Sequence, residues 1–314
     1  MDRKEPAFGA YEGVPDAIVG GGCVLIGRAE AMGAITLVNA LASGKGATVA
    51  VRLPTRAKVE VDAVKGGWRV LVNGRRTRSR LAAKSVQGAI RMLGKDPRKY
   101  SGSVETKASV PAGVGLKTSS SSSVAIILAT LSAFGEDAYE PSEVIRISAR
   151  ASIAAGVSVT GAIDDAASCL LGGANFTDSS SMRVESSAPI GRNLPVVINV
   201  PPGRSRRASV GVGYVRKFSG VARSIFSLGR EGKAWKAMTL NGLLYCSIYG
   251  YSPSDAIQAI QAGALGAGLS GTGPSIAAVF DDRNQAEQLA KIWEGGRGRV
   301  FKTETSDGGA TIGT

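Results

Sequence analysis

The stretch PAGVGLKTSSSSSVAIILA, Pro111–Ala129, decides how this 314-residue chain is read. It opens with glycines, passes through Lys117 and Thr118, and runs five serines directly into an apolar segment. A Walker phosphate loop needs G-x-x-x-x-G-K-[ST]. The two glycine positions of that pattern hold Pro111 and Leu116, so it fails at both. Gly113 and Gly115 still let the backbone turn so that successive N–H groups point inward. The serines supply hydroxyls, and a helix starting among them presents free N–H groups and the positive end of its dipole. Lys117 adds a point charge. A flexible serine linker is the competing reading, but a linker would not lead into VAIILATLSAF, which is too apolar for anything except a buried helix. The stretch reads as an anion cradle built without a Walker fold.

The rest of the chain sets limits on what that cradle serves. At 44% hydrophobic residues, 314 residues form one large domain or two small ones with a sizeable core. A formal charge of +13, from 38 basic against 25 acidic residues, favours anionic partners: nucleotides, phosphorylated or carboxylated metabolites, or nucleic acid. The basic residues are spread out apart from RRTRSR (75–80) and RSRR (204–207). No aromatic residues interleave with these clusters, so a nucleic-acid platform finds no support. Histidine is absent, which excludes His-based triads and a histidine general base and leaves carboxylates, lysine or a hydroxyl for proton transfer. Cys23, Cys169 and Cys246 lie far apart with no CxxC pair, which excludes a zinc or redox motif of that kind and suits a reducing cytosol. No run reaches the length of a transmembrane helix. AIVGGGCVLIG (17–27) is apolar but glycine-broken and preceded by acidic residues, a poor signal peptide. Residues 1–27 read as a disordered extension or the product of an over-early start codon.

Periodicity predicts a strand, glycine turn and strand over 34–53, then a hairpin over 58–74 turning at Gly66-Gly67. It predicts a helix over 82–95, a strand over 102–111 and helices over 120–134 and 141–156. A short helix lies within 156–173, followed by strands at ANFTD, SMRVES and 194–202. Helices are expected at 218–229, 231–249, 253–263 and 284–295, and a last strand at 299–305. Strands early and mixed elements later predict an α+β fold in two lobes that meet near residue 190.

Two further segments carry chemistry. VTGAIDDAAS (159–168) places Asp164 and Asp165 at a helix start, where the dipole favours the charged form. They are either helix caps or a base or magnesium ligand facing a phosphoryl acceptor. SGTGPS (270–275) is a tight turn whose Gly271 and Gly273 permit close backbone approach. A carboxylate-bearing polyol would need a cation, for which Lys45, Arg204, Arg206 and Arg207 are candidates, each equally readable as solvated surface.

PAGVGLKTSSS (Pro111–Ser121) resembles the central motif of the GHMP kinases, P-x-x-x-G-L-G-S-S-A, with Lys117 standing at a motif glycine. This G-L-K variant resembles the archaeal shikimate kinases of that superfamily. LSGTGPSIAAVF (269–280) is similar to the family's C-terminal glycine motif. AMGAITLVNALASGKGATVAV (31–51) is similar to the N-terminal segment of the archaeal group, where an asparagine-alanine pair precedes a G-[KR]-G turn. TGAIDDA agrees with the same group, and the resemblance runs from about residue 28 to the C-terminus.

The resemblance implies a two-lobed fold: an N-terminal ATP-binding lobe of ribosomal-protein-like topology over 28–190 and a ferredoxin-like lobe over 191–314. It implies an ATP-dependent, magnesium-using kinase acting on shikimate in the cytoplasm, on the route to chorismate and the aromatic amino acids. The implied partner is that small molecule, with no nucleic acid and no membrane, and the chain a monomer or homodimer. By the same resemblance Pro111, Ala112, Gly113, Val114, Gly115, Leu116, Lys117, Thr118, Ser119, Ser120 and Ser121 hold the nucleotide, with Gly271 and Gly273 against them. Motif spacing favours Ser119 for magnesium. Asp164 matches the catalytic aspartate of galactokinase and mevalonate kinase, with Asp165 the runner-up or a metal-side helper. Asn39, Lys45, Asp164, Asp165 and Gly271 fall at the substrate. In those relatives a basic residue of the first motif pairs with the aspartate. The equivalent position here is Ala34, so either Lys45 fills that role or the aspartate acts without it. Homoserine kinase is the nearest rival, against which the Asp164-Asp165 pair argues. A basic nucleic-acid binder is the rival of another class, against which the intact cradle argues.

Overall fold

A computed structural model describes residues 24–203 and 210–313. Most of the expected N-terminal extension, and Arg204, Arg206 and Arg207, lie outside the described residues. No described helix is long and apolar enough to cross a membrane.

The fold is α+β, as expected, and is built on two sheets. The first rests on two long antiparallel strands, β1 (Leu25–Val38) and β2 (Lys45–Asp62). β2 is one strand where the sequence suggests two. Its first half pairs with β6 (Ala174–Asp178) and its second half with β5 (Ser101–Ala108). Pro54, which has no N–H to donate, sits in the stretch where β2 changes partner and its register with β1 shifts. Burial follows the same division. From Gly46 to Val51 both faces of β2 are covered, whereas beyond Leu53 buried and half-buried residues alternate.

The expected hairpin at Gly66-Gly67 is corrected. β5 lies between β2 and β3 (Trp68–Val72), and β3 runs parallel to β5. The hairpin falls one strand later, between β3 and β4 (Arg75–Thr77), where Asn73 (φ 49°) and Gly74 (φ 76°) both take the left-handed conformation that suits a tight two-residue turn.

Four helices cover this sheet: α1 (Arg80–Met92), α2 (Thr118–Ala133), α3 (Pro141–Ala154) and α4 (Ile163–Leu171). α2 lies against β1 and β2 and packs on α1, α3 and α4, so it is apolar nearly all round. It starts at Thr118, two residues before the expected boundary, and takes all five serines inside the helix. Ser121 therefore bonds Thr55 (2.7 Å) and Ser123 bonds Ser85 of α1 (2.8 Å), both buried. Two of the five serines are thus committed to packing.

The second sheet has the order β11-β8-β10-β9, all antiparallel, formed by β8 (Pro195–Val200), β9 (Gly266–Leu269), β10 (Ile276–Val279) and β11 (Arg299–Glu304). With α6 (Ser219–Arg230), α7 (Ala234–Tyr249) and α8 (Ser254–Gln261) before β9, and α9 (Arg283–Glu294) before β11, this is a ferredoxin-like arrangement. A short helix, α5 (Val212–Arg216), precedes them. The two sheets share one apolar core: Ile35, Leu37, Val49 and Val51 of the first pack with Val196, Ile198, Met238 and Val279 of the second part. β7 (Arg183–Ala188) extends the first sheet, and β12 (Thr311–Ile312) returns to pair with β1. This junction is what brings segments from both ends of the chain to one cleft.

Candidate active site

The cleft, about 480 Å³, lies between the two parts. Its floor is the loop 113–120, its walls are Asn39–Leu41 and Gly271-Thr272, and its rim is 157–160 on one side with Val210 and Val212 on the other. Helices α2 and α4 both point their N-termini into it. Each starts after a residue in the left-handed conformation, Lys117 (φ 61°) and Ala162 (φ 52°), whose own side chain does not cap the first turn, although at α4 the Asp164 carboxylate accepts from the backbone N–H groups of Asp164 and Asp165. The free N–H groups at these two ends are left for an anion or for the carboxylates that α4 itself brings.

The turn 270–275 joins β9 to β10 and clamps the 111–118 loop. The Ser270 hydroxyl donates to the Gly115 carbonyl at 2.8 Å, and the Ser275 hydroxyl donates to the Val114 carbonyl. β1 ties in from behind: Gly271 N–H donates to Thr36 Oγ1 at 2.8 Å, and Asn39 Nδ2 donates to the Gly271 carbonyl at 2.8 Å. Asn39 thus lines the cleft as a latch between two motifs. The three segments singled out in the sequence meet here. The clamp residues Thr36, Ser270 and Ser275 were not expected at the site. Thr36 carried a signal, a polar residue buried within the apolar strand AITLV.

The two carboxylates have different surroundings. Asp164 is 4% exposed, and its Oδ2 lies where a side chain on Gly46 would be, 2.7 Å from a Cβ placed there. The glycine of the G-K-G turn therefore makes room for Asp164. Thr48 Oγ1 donates to the Asp164 carbonyl at 2.7 Å and fixes the first turn of α4 on β2. Burial, then the adjacent Asp165 charge, push the Asp164 carboxyl well up from its ordinary value, and Lys117 only partly offsets them. Asp165 is ion-paired with Lys117, 2.9 Å from Nζ, with both side chains nearly covered. Burial works against the Lys117 charge, but Asp165 and Asp164 outweigh it and hold its pKa above the ordinary value.

The cation that meets this carboxylate pair comes from the central motif, and its ion pair is with Asp165 rather than Asp164. Lys45 does not line the cleft. It stands one residue before Gly46, so strand alternation turns it to the opposite face. There it pairs with Asp178 (3.0 Å) and Glu185. Lys45→Met should leave turnover unchanged and lower stability by about 1 kcal/mol; a loss of turnover at unchanged stability in denaturant titration would return Lys45 to the site.

Thr118, Ser119 and Ser120 face the cleft. Thr118 and Ser119 also line a second cavity of about 140 Å³ on the other side of the loop, walled by Val72, Leu81, Val110 and Ile126 with Asn73 at its edge. The loop therefore stands between this mostly apolar cavity and the cleft, with Ser119 on the boundary. Ser119 and Ser120 are the serines of the run that remain available to a ligand in the cleft. Gly273 lies against Leu269 and Tyr251 and supports the turn from outside the cleft lining.

Comparison with known proteins finds matches over most of the chain. The sequence profile of the GHMP kinases N terminal domain matches residues 82–173, and that of the GHMP kinases C terminal matches 234–297. A shikimate kinase of Methanothrix thermoacetophila is 36% identical over 287 residues, 91% of this chain and 96% of that protein. One of Methanothermobacter thermautotrophicus is 32% identical over 284 residues, 89% of this chain and 96% of that protein. Among solved structures, a homoserine kinase of Cytophaga hutchinsonii superposes with a TM-score of 0.71 at 17% identity, covering 96% of this chain and 100% of that one. A mevalonate kinase of Methanococcus jannaschii superposes with a TM-score of 0.68 at 14% identity, covering 92% and 99%. At such identities the structural likeness speaks for the fold alone.

Proposed function

The chain belongs to the GHMP kinase family, and on that premise we propose that it is an ATP-dependent shikimate kinase. The product would be shikimate 3-phosphate, on the route to chorismate and the aromatic amino acids. The observation that carries the reading is the shikimate kinases matched along about nine tenths of the chain. The setting is the cytoplasm, where ATP is drawn on.

The site divides the work by position. The apolar cavity beside Val72 and Ile126 suits a nucleobase, and the loop 113–119 with the start of α2 suits the phosphates. The acceptor lies in the cleft between the 157–160 rim and Val210, with its hydroxyl at Asp164. The acceptor oxygen bonds to the γ-phosphorus as the bond to the departing ADP oxygen breaks, and the hydroxyl proton passes to Asp164. Little covalent chemistry is left to the protein, so positioning and charge neutralisation carry the rate. Asp164 suits a base because its raised pKa brings it closer to the hydroxyl it must deprotonate.

Magnesium fits the donor set as a partner of ATP. Ser119 offers a hydroxyl oxygen at the boundary between the two cavities. The described residues contain no cluster of three or more acidic, histidine or cysteine side chains that could cage a metal. Phosphate and water oxygens would complete the coordination, as magnesium tolerates. When bound, the ion neutralises phosphate charge.

A coupled ADP-release assay with shikimate, homoserine and mevalonate in parallel tests the reading. ADP should appear with shikimate alone. Release with homoserine or mevalonate and none with shikimate would overturn the substrate and leave the kinase.

A further inference from the structure

We propose that Lys117 is the catalytic cation of the transfer, and that Asp165 is the positioning residue that holds it, rather than a second base or a metal ligand. The proposal rests on the kinase reading above and assigns work within that site.

Lys117 is the one lysine or arginine among the described residues that line the cleft. Its backbone is the N-cap of α2, at the base of the phosphate cradle, and its Nζ lies 2.9 Å from Asp165 on the first turn of α4. The side chain therefore spans the space between the anion cradle and the carboxylate pair. A phosphoryl group crosses that space when it passes from donor to acceptor. The ammonium is seated on Gly271, where an added Cβ would come within 3.3 Å of Nζ. The side chains of Lys117 and Asp165 are only 10% and 14% exposed, so the charge acts with little screening by water.

The two neighbouring aspartates separate by direction. Successive residues of a helix point about 100° apart, from 3.6 residues per turn. Asp165 faces Lys117, while Asp164 faces Gly46 and β2 and has no ion pair among the described residues. One carboxylate is thus spent on the lysine and the other is left for the acceptor. Lys45, the other nearby cation, is engaged with Asp178 and Glu185. In the step, the acceptor oxygen bonds to phosphorus, the bond to ADP breaks, and the proton goes to Asp164. Lys117 transfers no proton and stays an ammonium set against the oxygens of the moving phosphoryl group.

The test is a double-mutant cycle on turnover, with ATP affinity measured by calorimetry on the same variants. Lys117→Met should lower kcat by about 10²–10³-fold, with the Kd for ATP moved by less than about tenfold. Asp165→Asn should lower kcat by about tenfold, because the lysine loses its anchor but not its charge. The double variant should be no slower than Lys117→Met alone, since Asp165 acts only through the lysine. Multiplied effects in the double variant would overturn the role given to Asp165. A Lys117→Met enzyme with intact kcat and weakened ATP binding would overturn the role given to Lys117. Should Lys117→Met fail to fold because it leaves the nearly buried Asp165 carboxylate unpaired, the double variant removes that charge as well and should fold, and comparing it with Asp165→Asn isolates the lysine. The cycle is run with whichever acceptor supports wild-type turnover, so a wrong substrate and a wrong Lys117 are separate results.

Discussion

Asp164→Asn should lower kcat by about 10³-fold, the scale of a lost general base, and leave the protein at least as stable as the parent at alkaline pH. The two halves of this result have one cause. Asp164 is buried beside a second carboxylate, and its pKa is raised. Turnover needs the deprotonated form, so kcat should fall as pH drops through the raised value, at a pH well above the ordinary carboxylate range near about 4. Stability runs the other way. A carboxyl with a raised folded-state pKa contributes stability that is fully present below its unfolded value and is lost as pH rises through the folded one. Asparagine removes the buried charge and leaves the Lys117–Asp165 pair in place. Thermal melts at pH 6 and pH 9 should therefore diverge for the parent more than for the variant. Full turnover by Asp164→Asn would place the base elsewhere, and a variant that melts far below the parent at both pH values would make Asp164 a structural residue.

Gly115→Ala should have the larger effect on the fold. Gly115 has φ 92°, and a Cβ there would lie 2.2 Å from the Ser270 carbonyl oxygen, a backbone atom of the clamping turn. Neither the turn nor the loop can yield without breaking the bonds from Ser270 and Ser275 to the loop carbonyls. The expected cost is about 3 kcal/mol from the strained backbone and the overlap together, and ATP affinity should fall with it. Gly113→Ala is the control. Its φ of 80° is similar, but no atom lies within 4 Å of the added methyl. It should lose only about 1 kcal/mol of stability. Denaturant titrations of both variants with ATP calorimetry check the contrast. Equal losses would mean that the turn 270–275 does not clamp the loop.

The sequence made much of this arrangement legible, and the misses have physical causes. The 3.6-residue pattern of α1, α3 and α9 showed because each has a wet face. α2 showed by being too apolar for any exposed role. The β2–β3 hairpin was misread because Gly66-Gly67 looks like a turn, whereas pairing is decided by β5, which arrives later and inserts between the strands. Asn73-Gly74 carried the stronger turn signal. Lys45 was a fair guess from its place in G-K-G, but strand alternation sends it away from the cleft while its neighbour Gly46 meets Asp164.

By itself the sequence determined the chemistry that is available: no histidine, a glycine-serine loop ahead of a buried helix, two adjacent carboxylates and a late glycine turn. Apolar periodicity, a local property, gave the α+β class, and the resemblance of the motifs to those of the GHMP kinases gave the family. Tertiary structure alone decided which of those groups work on each other. Lys117 faces Asp165 across the cleft, Ser270 reaches Gly115 from the other end of the chain, and Ser121 and Ser123 are withdrawn from the serine run into the packing. Such pairings depend on the angle at which α2 and α4 meet and on the junction of two sheets, and those follow from side-chain packing summed over the whole core rather than from any short stretch of residues.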